Sequence, residues 1–204
     1  MHKETIIQSG NTGNAQKALI MLHGRGSSAQ NILSLSLQLQ VPDYALYAPQ
    51  ATNNTWYPHP FLAEPSRNEP WLSAALTLVE KTVQKITQRG IDGENIYFAG
   101  FSQGACLTLE YVARNAQKYG GVAAFTGGLI GDKIYTEHYK GRFEGTPVFI
   151  GTGDPDPHIP MERIHNSADV FEHMDADVTK KLYENMAHTI TQEEIDTVNH
   201  LIFN

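Results

Sequence analysis

Ile96-Tyr97-Phe98-Ala99-Gly100-Phe101-Ser102-Gln103-Gly104-Ala105-Cys106-Leu107 is the stretch that decides the fold. The apolar run Ile96–Ala99 reads as a buried strand, and the residues from Ala105 to Tyr111 read as a helix. Gly-Phe-Ser-Gln-Gly between them makes a sharp strand-to-helix turn. A serine on such a turn has its hydroxyl pushed clear of the backbone, where a substrate reaches it. The flanking glycines are steric requirements, because a side chain at either one would collide with the neighbouring strand or helix. With 17 Gly and nine Ser in 204 residues, Gly-x-Ser-x-Gly should arise by chance only ~0.06 times. An ordinary glycine-rich turn with a solvated serine is therefore the weaker reading.

Strand and helix signals alternate on either side of this turn. Ala18–Leu22, Tyr44–Ala48, Val122–Phe125 and Pro147–Ile150 are short apolar runs of strand length, and Val178–Tyr183 reads as a further strand. A helix is expected from Ser27 or Ser28 to Leu39. Trp71, Leu72, Ala75, Leu76, Val79, Val83 and Ile86 recur at three- and four-residue spacing, which marks an amphipathic helix ending at Gly90. Further helices are expected from the serine turn to Lys118, over Met161–Met174 and over Gln192–Phe203. Continuous apolar strands separated by helices indicate an α/β fold, with a mostly parallel central sheet covered on both faces. The chain has no repeat or linker and reads as one domain, 1–204.

Composition narrows the function. Hydrophobic residues make up 41% and charged residues 18%, as in a soluble globular protein. The net charge is −7 with no basic block, which argues against nucleic acid and against an anionic membrane surface as partners. No apolar run reaches the ~20 residues that span a bilayer. No long apolar leader follows Met1, so the expected location is cytoplasmic. Cys106 has no second cysteine to pair with and reads as a small buried residue. Monomer and homodimer both remain open.

Two long connections follow strands. Residues 51–68 carry Trp56, Tyr57, His59 and Phe61 among Pro58, Pro60 and Pro65, and residues 129–146 are rich in Gly, Tyr and charge. Long connections of this kind are often functional. Both belong on the edge where ligands bind in parallel sheets, beyond the carboxyl ends of the strands. For 129–146 a plain surface loop is an equally good reading.

A serine hydroxyl needs a base within hydrogen-bond reach, an acid to orient that base, and donors for the oxyanion. His188, just past the last strand, lies on the same edge as Ser102 and is favoured as the base over the rival His158. The other histidines fall in loops or helices, except His23, which serves the turn after the first strand. The acid must come from Gly151-Thr152-Gly153-Asp154-Pro155-Asp156-Pro157, where prolines stiffen the backbone. Spacing alone leaves Asp154 and Asp156 open. One is expected to bond nearby backbone amides and the other to orient His188. The order Ser, Asp, His is that of the α/β-hydrolase arrangement. Two amides are the candidate oxyanion donors: that of Gln103, after the serine, and that of Arg25, in His23-Gly24-Arg25-Gly26. The Arg25 side chain reads as a solvated arginine. His23, Trp56, Tyr57 and His158 are carried as candidates for substrate binding. None of this chemistry calls for a metal or cofactor.

The chain resembles the phospholipase/carboxylesterase family, the compact α/β-hydrolases that include the acyl-protein thioesterases. The resemblance rests on Leu22–Gly26, Gly100–Gly104, Gly153-Asp154-Pro155-Asp156-Pro157-His158-Ile159-Pro160 and Met186-Ala187-His188, in that order across nearly the whole chain. It implies Ser102 as nucleophile, Asp156 as acid, His188 as base, and the Arg25 and Gln103 amides as oxyanion donors. The implied activity is hydrolysis of small or lipid-like carboxylic esters, with thioesters as the alternative. Dienelactone hydrolases of similar pattern carry cysteine where this chain has Ser102, and non-catalytic relatives usually lack a member of the set. Arg25 and His158 depart from the apolar residues common in eukaryotic members. Ala187 stands where glycine is usual, and the acidic residue expected after Trp56–Phe61 is absent.

Overall fold

Along β2 (Ala18–Leu22), Ala18, Ile20 and Leu22 enter one core while Leu19 and Met21 enter another. This two-residue alternation, with both faces apolar, is what a fully buried strand requires. The computed structural model describes residues 1–203, so Asn204, the last residue of the expected domain, lies outside the described residues. Seven strands form a sheet in the order β1-β3-β2-β4-β5-β6-β7. The others are β1 (Ile6–Gly10), β3 (Ala45–Pro49), β4 (Ile96–Phe101), β5 (Gly121–Phe125), β6 (Pro147–Asp154) and β7 (Asp177–Glu184). Every neighbouring pair is parallel except β1 with β3.

Helices α2 (Trp71–Thr87), α3 (Gln103–Arg114) and α4 (Met161–His173) cover one face, and α1 (Ala29–Leu33) and α5 (Gln192–Leu201) cover the other. Leu72, Val79, Leu109 and Phe171 are among the buried residues of the first core, and Ile32, Ile195 and Val198 belong to the second. Each such side chain, removed from water, contributes about 1.5–3 kcal/mol. No helix among the described residues is long and apolar enough to cross a membrane.

Four elements differ from the sequence expectation. β1 was not anticipated, because an edge strand with one side towards solvent needs only Ile6 and Ile7 as its apolar part. The first helix stops at Leu33 and tightens into a 3₁₀ turn over Ser34–Leu37. The hydroxyls of Ser34 and Ser36 donate back to the carbonyls of Asn31 and Leu33, and this local bonding competes with a continued α-helix. Helix α3 ends at Arg114 rather than Lys118, where the Asn115 side chain donates to the Tyr111 carbonyl. Strand β6 runs four residues past Ile150, its register with β7 continuing to Asp154 opposite Glu184. Residues 51–68 are not structureless either: they form 3₁₀ turns over Thr52–Asn54 and Pro65–Asn68 and bury Trp56, Tyr57 and Phe61.

Candidate active site

Ser102 joins β4 to α3 with φ 54° and ψ −119°. This is left-handed backbone on a non-glycine residue, strained by about 1–3 kcal/mol. The surroundings hold it there. The Ser102 N–H donates to the Phe125 carbonyl at 2.9 Å, and its carbonyl accepts from the Cys106 N–H at 3.0 Å. A Cβ on Gly104 would overlap the Leu22 carbonyl, and one on Gly100 would lie 2.5 Å from the Gly104 oxygen. The two glycines let α3 pack against the ends of β2 and β4.

The carboxyl ends of β4, β6 and β7 bring three distant side chains together. Ser102 Oγ lies 2.8 Å from His188 Nε2, and His188 Nδ1 lies 2.9 Å from Asp156 Oδ2. An ionised carboxylate only accepts, so Nδ1 carries the proton and Nε2 is left to accept from the serine hydroxyl. The imidazole rests on the Phe101 ring at 5.3 Å and meets the His158 ring edge-on at 4.9 Å.

One carboxylate does both jobs that the sequence reading divided between two. Asp156 Oδ1 accepts from the His158 and Ile159 N–H groups at 2.7 and 2.9 Å, while Oδ2 faces His188. Asp154 remains in the sheet, its carbonyl accepting from the Asn185 N–H. Burial raises the Asp156 pKa, but the bonds from His188, His158 and Ile159 outweigh it and hold the group below the ordinary carboxylate value.

The turn after β2 lies against Ser102: a Cβ on Gly24 would sit 3.5 Å from the serine Cβ. Among the described residues, neither the Arg25 nor the Gln103 main-chain N–H donates to a protein carbonyl. A cavity of about 580 Å³ opens beside Ser102 and His188 and is walled by Tyr57, Phe61, Phe101 and Ile159. Cys106 also faces it. Burial pushes that thiol up to about 12, so it stays protonated and unreactive near neutral pH.

The four substrate-binding candidates separate. Tyr57 and His158 line the cavity, whereas His23 and Trp56 do not. Both of the latter are fully buried. His23 Nε2 accepts from the Ala51 N–H at 3.2 Å, leaving Nδ1–H to donate to the Gly24 carbonyl at 2.8 Å. Trp56 Nε1 donates to the His23 carbonyl at 2.8 Å. These rings pack together at 4.9 Å as a strut, with main-chain partners for their polar atoms. Residues 129–146 contribute nothing to the cavity wall. The Arg25 side chain is exposed, as a solvated arginine is, and its guanidinium also donates to three carbonyls of the 57–59 segment. No local sequence signal marks acceptors that are more than thirty residues away.

The loop carrying His188 is stapled at its far end by a capping box on α5. Thr191 Oγ1 accepts from the Glu194 N–H, and Glu194 Oε2 accepts from the Thr191 N–H at 2.9 Å. Glu194 is fully buried, and its Oε1 has no partner among the described residues. Burial pushes its pKa up from 4.5 to about 7, against the opposing Thr191 bonds. The folded state therefore binds a proton that the unfolded chain has released between those values. Stability from this group is fullest below about pH 4.5 and falls as pH rises through 7. At 1.36 kcal/mol per pK unit the change is at most about 3 kcal/mol. Glu194→Gln, which keeps the shape and an acceptor, should flatten the decline of Tm between pH 5 and 8. Thermal melts of both proteins across that range check this, and parallel curves would refute it.

A model of the phospholipase/carboxylesterase family matches residues 2–203. The chain belongs to that family. Members of this family, this chain included, are hydrolases of carboxylic esters. The chain is similar to the acyl-protein thioesterase 1 of Saccharomyces cerevisiae, at 28% identity over 212 residues covering 92% of each. It is also similar to the crystal structure of a phospholipase/carboxylesterase from Dyadobacter fermentans. That match has 52% identity and a TM-score of 0.98, covering 100% of this chain and 98% of that one. The Bacillus cereus carboxylesterase shares the fold at TM-score 0.78 and 17% identity, over 96% of this chain and 91% of that one.

Proposed function

We propose that this protein is a serine carboxylesterase working through an acyl-enzyme, with Ser102 as nucleophile, His188 as base and Asp156 as orienting acid. The observation that carries this reading is the continuous hydrogen-bonded relay Ser102 Oγ–His188 Nε2 and His188 Nδ1–Asp156 Oδ2, opening on an apolar cavity. Ser102 Oγ adds to the substrate carbonyl carbon as its proton passes to His188 Nε2. The oxyanion of the tetrahedral intermediate is held by the N–H groups of Arg25 and Gln103. Collapse expels the alcohol, which takes the proton from Nε2, and leaves Ser102 acylated. Water then gives a proton to His188, attacks the acyl carbon and releases the acid, and the proton returns to Ser102. The cavity volume falls within the range of small-molecule sites, and its apolar wall suits the acyl chain.

Thioesters are the second reading, favoured by the similarity to an acyl-protein thioesterase. The same relay serves both, since only the leaving atom differs. A fluorophosphonate probe should label the wild-type protein at Ser102, and a panel of p-nitrophenyl esters and acyl thioesters of rising chain length should show turnover. No labelling together with no turnover would leave a binding module on this scaffold.

A further inference from the structure

Arg25 and Gln103 come from different elements, yet their side chains grip one four-residue segment. The Gln103 carboxamide makes two bonds: the Trp56 N–H donates to Oε1 at 2.9 Å, and Nε2 donates to the Tyr57 carbonyl at 2.8 Å. The Arg25 guanidinium makes three: Nη1 to the Pro58 carbonyl at 3.0 Å, and Nη2 to the Tyr57 and His59 carbonyls at 3.0 and 2.9 Å. The Tyr57 carbonyl oxygen accepts from both side chains. The segment is pinned from behind as well, by Trp56 Nε1 on the His23 carbonyl and by the His59 N–H on Asn68 Oδ1 at 2.8 Å. Tyr57 and Pro58 are also cavity wall.

We infer that the 56–59 segment is a brace for the oxyanion site and that Arg25 is a positioning residue for the reaction. This inference rests on the function proposed above. Two amides stabilise an oxyanion only if each stays within about 3 Å of the same oxygen. One amide sits on the turn after β2 and the other on the first turn of α3. A shared third body bonded to both side chains fixes the distance between them. Arg25 suits this role because a planar fork addresses several carbonyls at once. Among the described residues it has no carboxylate partner, although its position is exposed. A lysine would keep the charge but lose the fork.

The test compares Arg25→Lys, Arg25→Met and Arg25→Ala with wild type on p-nitrophenyl acetate, whose acyl group is too small to depend on the cavity wall. A loosened oxyanion site should lower kcat in all three by about 10- to 100-fold, the scale of ångström misplacements, with KM little changed. Affinity for a trifluoromethyl ketone, which forms the tetrahedral adduct, should fall in proportion. Millimolar guanidinium should restore part of the Arg25→Ala loss and do nothing for wild type. Wild-type kcat in Arg25→Lys would overturn the inference in favour of charge alone. Absence of guanidinium rescue in a folded Arg25→Ala protein would overturn it too. If Arg25→Met does not fold, the lysine variant and the rescue still decide. A wild-type protein that neither labels with fluorophosphonate nor turns over an ester would instead sink the function proposed above. An active wild type with equally active Arg25 variants sinks only the brace.

Discussion

Ser102→Ala should lower kcat on p-nitrophenyl esters by about 10⁶, the scale seen when a triad serine is lost, while the folded state persists. The left-handed backbone at residue 102 is imposed by its bonds to Phe125 and Cys106, which are main-chain contacts that alanine keeps. No neighbour would replace Ser102 in the proposed role. Cys106 faces the same cavity, but its thiol is held protonated by burial, so little thiolate exists at neutral pH to take over. Fluorophosphonate labelling should vanish with the activity. Turnover within a hundredfold of wild type, in a preparation shown free of wild-type protein, would remove Ser102 from the mechanism. The size of the effect follows from covalency: without the oxygen the proposed acyl-enzyme cannot form, and only binding and the proposed oxyanion donors would still act on the uncatalysed reaction.

The parts of this molecule that were legible in its sequence are those written in local patterns. β2 to β5 and the first half of β6 announce themselves as apolar runs because a strand buried on both faces leaves no polar position. The Gly100–Gly104 turn is legible because each glycine has a steric duty. β1 is not, since three of its five residues are exposed. The end of β6 was read four residues short, because Gly151 and Gly153 look like a turn until β7 pairs with them. His188 could be picked by its place after a strand. The choice between Asp154 and Asp156 needed the family pattern, since both follow the same run and only the length of β6 separates them. The roles of His23, Trp56 and the Arg25 and Gln103 side chains were illegible for one common reason. Each depends on bonds to main-chain atoms of a loop that folding carries in from elsewhere.

Asp156→Asn should lower kcat by about 10⁴, on the scale of the equivalent change in other triads, and Asp154→Asn should leave it nearly unchanged. The first effect comes from the direction that an amide must take at position 156. Oδ1 is fixed by two backbone N–H groups, from His158 and Ile159, and only an oxygen accepts from them. Asparagine therefore keeps its oxygen at that end and turns its NH₂ towards His188. Facing a donor, Nδ1 becomes the acceptor and the ring proton moves to Nε2. In that tautomer Nε2 no longer accepts from Ser102 Oγ, so the base is disabled while every heavy atom stays in place. The opposite amide orientation would set the NH₂ against two N–H donors in a position where the side chain is fully buried, and unpaired buried donors are unfavourable by about 1–3 kcal/mol each. Asp154 ends β6, and its carbonyl bond to Asn185 survives the substitution. Steady-state kinetics on both variants, with Tm as a control for folding, test the assignment. A larger loss in Asp154→Asn than in Asp156→Asn would mean that the carboxylate facing His188 in this fold is not the one that orients it during catalysis.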